Sequence, residues 1–264
     1  MPQPSDDKPF RTHIETATPQ IDIRHLADYM AASRQSQRRV VQGCKYRRIT
    51  RVIQHTEARA VIYNYIRIGD SDPQKLLDRA ALVREKLADD DFESEVNDHN
   101  ADYIESFAGS YIIGVLPKAE ISARQDIAPI NINGMSVRFG HHLLLRRTTT
   151  TNKQRIGAIM LRYAKGETLG INVGEWQAAS MFGFLRMVYE AEAAEPERKL
   201  CVVLDAYAGK THLAPGNAVY RFNEMRAAWP ISRNDGLLSS RPETPFSDQI
   251  RTLPTRPATR FGRS

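Results

Sequence analysis

Cysteine is nearly absent from this chain of 264 residues, occurring only as Cys44 and Cys201. The two stand far apart, and neither a Cys-x-x-Cys pair nor a cysteine–histidine zinc spacing is present, which argues against a disulfide framework and a structural zinc site. Cys201 sits inside the apolar run Leu200-Cys-Val-Val-Leu, where a buried, inert thiol is expected. That usage fits a reducing compartment. No apolar run approaches the length needed to cross a bilayer. The opening Met1-Pro-Gln-Pro-Ser-Asp-Asp-Lys is polar, unlike a secretory signal. A soluble, cytoplasmic protein without a membrane partner is expected.

Several catalytic signatures are also missing. No Gly-x-Gly-x-x-Gly is present for a dinucleotide, and neither Ser110 nor Ser180 lies in a Gly-x-Ser-x-Gly elbow. Gly209-Lys210-Thr211 echoes a phosphate-binding loop, but Val203-Leu-Asp-Ala-Tyr-Ala before it supplies no earlier glycine. His141-His142 suggests a transition-metal pair. In a strand, however, neighbouring side chains point to opposite faces and could not share an ion. His55, His99 and His212 show no partner spacing. No acidic residue occurs between Ile127 and Lys165.

The chain does carry a basic excess, with 37 lysines and arginines against 31 acids and a formal net charge of +6. Nucleic acid, an anionic membrane surface or an acidic protein would each suit that balance. The excess is sharpest from Arg34 to Arg59, where Glu57 is the only acid. Arg38, Arg39, Lys45, Arg47, Arg48 and Arg51 are the candidate phosphate contacts, and Tyr46 could stack a base. The alternative is a solvated face of two helices, partly neutralised by the acidic stretch Asp89–Glu105.

Periodicity predicts an α+β protein. Residues 1–20 are polar and expected to be loose, and 21–110 read as a helical region. Ile23, Leu26, Ala27 and Met30 fall at helical spacing. A second helix is expected from about Ser36 until Gly43 interrupts it, and a third over Ile49–Ile66. Asp72-Pro73 signals the start of another, and Glu93–Phe107 of one more. The period then switches. Short strands are expected at Ser136–Phe139, after an Asn133-Gly134 hairpin turn, and at Leu143–Arg146. A longer strand is expected over Ile156–Tyr163, a helix over 173–194 and a further strand over 200–205. Thr211–Leu213 could pair back on that strand, and a last helix spans 217–229. Residues 232–264 are rich in proline, serine, threonine and arginine and read as a disordered basic tail.

The order from Ile130 to Pro215, strand, turn, strand, strand, helix, strand, resembles the PD-(D/E)XK (restriction-endonuclease-like) nuclease superfamily, in its exonuclease-like branch. The resemblance implies an N-terminal helical region followed by a mixed sheet flanked by helices, with the nuclease-like core over 111–231. It also implies an aspartate before the second strand and a Glu-x-Lys in the third, which together hold magnesium. His142 stands at the aspartate position. Met160, Leu161 and Arg162 stand at Glu-x-Lys, so Arg162 replaces the lysine while Met160 cannot ligate a hard cation. Gln177 matches a substrate-side glutamine on the helix, and Lys165 could also line the cleft.

The expected function is a catalytically inactive, nuclease-like protein that binds nucleic acid or acts in a nucleic-acid-processing or defence assembly, with no cofactor. An active nuclease with a displaced carboxylate site, drawing on Glu105, Asp205 and His142 and on magnesium, is the alternative. A protein-interaction module without nucleic-acid affinity is a third reading.

Overall fold

Sequence punctuation sets the first elements. The computed structural model describes residues 13–16, 20–48, 54–110, 115–163, 168–189 and 194–229. Strands β1 (His13–Glu15) and β2 (Gln20–Asp22) precede α1 (Ile23–Ala31), α2 (Arg34–Lys45) and β3 (Tyr46–Arg48). Asp22 caps α1 by accepting the Arg24 amide at 2.9 Å, and Ser33 caps α2. Helices α3 (Thr56–Ile68), α4 (Pro73–Arg84) and α5 (Asp91–Ser110) follow. Helix α3 stops at Gly69, whose φ of 68° lets the chain turn in the left-handed conformation. Helix α4 starts where Asp72 accepts the Gln74 amide, with Pro73 in the first turn.

The strand-rich part holds β4 (Glu120–Ala123), β5 (Ile130–Ile132), β6 (Met135–Arg138), β7 (Leu143–Thr148) and β8 (Gln154–Arg162). It continues with α6 (Ile171–Val188), β9 (Ala194–Asp205), β10 (Lys210–Leu213) and α7 (Ala218–Ala228). Five strands form one mixed sheet in the order β10-β9-β8-β7-β4. Strands β4, β7 and β8 alternate in direction. Helix α6 then crosses over so that β9 lies parallel to β8, and β10 returns antiparallel to β9. A parallel pair requires such a crossover.

The pleat of this sheet feeds two cores. Leu144, Ile156, Ala158, Met160, Cys201 and Val203 pack on the side of α1, α6 and α7. Leu143, Leu145, Ile159, Leu161, Val202 and Leu204 pack on the side of α3, α4 and α5. Each valine, leucine, isoleucine or methionine among them contributes about 1.5–3 kcal/mol by leaving water. A sheet covered on both faces explains why β7, β8 and β9 read as continuous apolar runs.

Three expectations change. The strand over Ser136–Phe139 does not join the main sheet. As β6 it belongs to a separate three-stranded sheet, β2-β6-β5, in which β2 runs parallel to β6. The Asn133-Gly134 turn does form, with both residues at positive φ, but it builds that small sheet. The neighbour of β7 is instead β4, whose Glu-Ile-Ser-Ala has too little apolar content to announce itself. Second, Gly43 does not end α2, which runs on to Lys45; a helical glycine costs only about 1 kcal/mol, and capping at Ser33 and burial of Val41 and Cys44 offset it. Third, residues 21–110 are not purely helical, since β2 and β3 lie among them and α1 shares its core with the main sheet. Residues 1–12 and the tail from 230 onward lie outside the described residues. Among the described residues, no helix is long and apolar enough to cross a membrane.

Candidate functional site

The end of β8 and the segment before β7 bring the motif positions into view. Residues 140–142 precede β7 as irregular chain, so strand alternation does not separate the two histidines. His141 and His142 therefore border the same cleft. The His142 amide donates to the Ile159 carbonyl at 2.8 Å, and its Nδ1 accepts the Leu161 amide at 3.0 Å. Burial, helped by the charges of Arg59 and Arg24, pushes the His142 pKa down to about 3. The ring is thus neutral at neutral pH, and with Nδ1 accepting, its proton sits on Nε2. His141 is buried against the Phe139 ring, and burial lowers its pKa to about 4.

The other motif positions turn away from that cleft. Met160 is fully buried in the core on the α1 and α6 side. Arg162, two residues on, faces the same side and places Nη1 3.5 Å from Oδ2 of Asp28 in α1. Gln177, also fully buried, donates to Oδ1 of the same carboxylate at 2.6 Å. His25 completes the group, 3.5 Å from Asp28 Oδ2. Burial alone would raise the Asp28 pKa, but hydrogen bonds from His25 and Gln177 and the Arg162 charge outweigh it and leave the carboxyl below its ordinary range. Lys165 lies outside the described residues.

The carboxylates considered for a displaced metal site are employed separately. Asp205 accepts the Leu169 amide at 2.7 Å and those of Tyr207 and Ala208 at 3.0 and 3.1 Å, closing the β9–β10 turn and holding the segment that leads into α6. Glu105 and Asp102 on α5 clasp Arg84 of α4, with Asp98 at 3.6 Å from the same guanidinium. Among the described residues, no three or more histidine, cysteine or acidic side chains gather as metal ligands do.

The basic segment divides. Arg38 is exposed on α2. Lys45 pairs with Glu15 at 3.0 Å and stands 5.3 Å from the Tyr46 ring centroid. Arg47 and Arg48 occupy β3, registered opposite Ile14 and His13 of β1, and Arg51 lies outside the described residues. Arg39 faces a cleft of about 600 Å³ between α1, α2 and the small sheet, together with Arg138, Arg24 and His25.

That cleft adjoins the one at the strand end. The second, of about 430 Å³, is lined by Thr56, Arg59, Ala60 and Tyr63, a single stripe of α3, and by Arg24, Arg124, the two histidines, Leu161 and Tyr163. Asp22 and Arg24 line both. Among the described residues, the two clefts thus carry five arginines, at positions 24, 39, 59, 124 and 138, against one carboxylate, Asp22. Asp22 is spent on the α1 cap and lies against Gly140, where a Cβ would collide with its carboxylate.

Sequence reasoning missed Arg24, Arg124, Arg138 and Asp28. Each is isolated in the sequence; the pairing of β2 with β6, the packing of α1 on α6 and that of β4 on α3 place them. No family model matches the chain, and no curated protein matches it.

Proposed function

We propose that this chain is a nucleic-acid-binding protein built on a restriction-endonuclease-like frame, and that it binds without metal-dependent cleavage. The observation that carries the reading is the run of two adjoining clefts lined, among the described residues, by five arginines and a single, already engaged carboxylate. Guanidinium groups in series suit a phosphate backbone, which they hold by paired hydrogen bonds and by releasing condensed counterions. Support for the frame comes from the succession β7, β8, α6, β9, the last four elements of the order on which the resemblance rests; the hairpin that precedes them in that order belongs to the small sheet. The seats for acidic metal ligands are taken by His142, which holds the Leu161 amide, and by Met160 in the core. Arg162, at the lysine position, is engaged by Asp28.

Anisotropy titration of labelled DNA and RNA strands tests the reading. Neutralising five phosphates of a single strand is expected to weaken affinity about 100-fold between about 50 and 200 mM salt. The double charge reversal Arg39→Glu, Arg138→Glu is expected to abolish measurable binding. Added magnesium or manganese is expected to leave the strand intact. Absence of binding at low salt sinks the nucleic-acid reading, and metal-dependent scission sinks the non-cleaving half of it.

A further inference from the structure

The smaller cleft, at the end of β8, has a composition more particular than a basic surface. Among the described residues its formal charges are Arg24, Arg59 and Arg124 against Asp22, a net of +2, because both histidines are neutral. Arg59 has no ion pair among the described residues. Arg124 stands 3.7 Å from the fully exposed Asp126, a solvent-screened pair that yields readily to a better acceptor. Two donors are buried without a hydrogen-bond partner among the described residues, Arg24 Nε and Tyr163 Oη. Such groups call for an acceptor, and the one carboxylate among the described lining residues is turned to the Arg24 amide and packed on Gly140. His142 adds a neutral Nε2–H donor to the cleft lining.

The matching ligand therefore accepts from several sides and carries close to two negative charges. A phosphodiester offers one charge and two free oxygens. A phosphate monoester carries about −1.5 to −2 and three free oxygens, each suited to a guanidinium. At about 430 Å³ the cleft lies near the lower end for ligand pockets, fitting one phosphorylated residue rather than a length of duplex. We propose that this cleft is a seat for a phosphate monoester, presented as the terminal phosphate of a nucleic-acid strand. The source of the phosphate rests on the nucleic-acid reading above; the preference for a monoester rests on the cleft alone.

The test uses the full chain and short single strands, labelled at one end and carrying either a phosphate or a hydroxyl at the other, in both polarities. Adenosine 5′-monophosphate and adenosine serve as free probes by calorimetry. A strand ending in phosphate is expected to bind about tenfold more tightly than its hydroxyl counterpart, in at least one polarity. Arg59→Gln and, separately, Arg124→Gln are expected to bring that ratio to about one, with melting temperatures showing that each variant folds. Equal affinity for both kinds of strand overturns the monoester seat and leaves nucleic-acid binding standing. Binding of the monophosphate but of no strand keeps the seat and overturns the nucleic-acid reading. A tenfold ratio that survives both substitutions overturns the assignment to this cleft.

Discussion

Gln177 Nε2 lies 2.6 Å from Asp28 Oδ1, joining α6 to α1 across 149 positions of sequence. The other carboxylate oxygen takes Arg162 from β8, so one acid on α1 ties the crossover helix α6 to the central sheet. Around it the seam is apolar, with Ile23, Leu26 and Ala27 of α1 fully buried. A charge placed there is tolerated because it is paired and hydrogen-bonded.

Asp28→Asn keeps the shape and removes the charge, leaving the partly buried Arg162 guanidinium without compensation. Unfolding in urea is expected to show a loss of about 2 kcal/mol. The carboxyl is held below its ordinary value of 3.8, so its stabilisation is complete above that value and fades as pH falls below it. The gap between wild type and variant should therefore be constant near neutrality and close in acid. A gap that widens in acid would assign the linkage to another group.

The two histidines of the smaller cleft act higher on the pH scale. Burial lowers His141 from 6.5 to about 4 and His142 from 6.5 to about 3. Between those values the unfolded chain binds protons that the folded chain refuses, so stability is full above 6.5 and falls as pH drops through this window. Each histidine contributes a slope of about 1.4 kcal/mol per pH unit. His141→Phe retains a ring against Phe139 and is expected to remove about half of the combined slope, measured by urea unfolding at several pH values between neutrality and pH 4.5. Identical slopes in the two proteins would show that His141 titrates normally.

Much of this frame was legible from local pattern, and the site was not. The apolar runs at Leu143–Leu145, Ile156–Leu161 and Leu200–Leu204 announced the three central strands because both faces of the sheet are covered. The helix between the last two was visible from Trp176, Ala179, Phe182 and Leu185, though it begins at Ile171 and ends at Val188. Thr211–Leu213 does pair back on β9. Strands β1 and β2, three residues each, and β4, four residues, carry too few positions to show a period, and their pairing depends on distant partners. The same holds for Asp28, which in sequence is one polar residue on the outer side of an amphipathic helix. Its meaning comes from α1 lying against α6, a contact no local pattern encodes.

Gly157 marks a close approach of β8 and β9. The pairing slips between Ile156 and Ala158, and a Cβ at 157 would fall on the Cβ and carbonyl of Leu200. Backbone cannot swing aside as a side-chain tip can, so Gly157→Ala is expected to cost about 3 kcal/mol by overpacking. In a chain of this size that corresponds to a drop of roughly 6–12 °C in melting temperature. Gly109 gives the contrast. It lies in α5 with open space where its Cβ would stand, and Gly109→Ala is expected to stabilise by about 1 kcal/mol. If both substitutions proved neutral, the close approach at Leu200 would have no energetic content.

Met160 decides whether the proposed frame could accept an acidic metal ligand at that position. Its side chain is fully buried in the same apolar cluster as Leu144, Phe184 and Val203, on the face of the sheet away from the smaller arginine cleft. Met160→Leu conserves volume and polarity and is expected to cost less than about 1.5 kcal/mol. Met160→Glu would bury a carboxylate among hydrocarbon, at a cost of several kcal/mol, against a total stability of about 5–15 kcal/mol for a typical domain. The variant is expected to be unfolded or to hold a protonated glutamic acid, and magnesium is expected neither to raise its melting temperature nor to confer cleavage. A folded Met160→Glu protein that magnesium stabilises would mean that the position opens to solvent and to a second oxygen ligand. Both the core assignment of Met160 and the non-cleaving reading would then fail together, because a hard cation has to find oxygen ligands within a single coordination sphere.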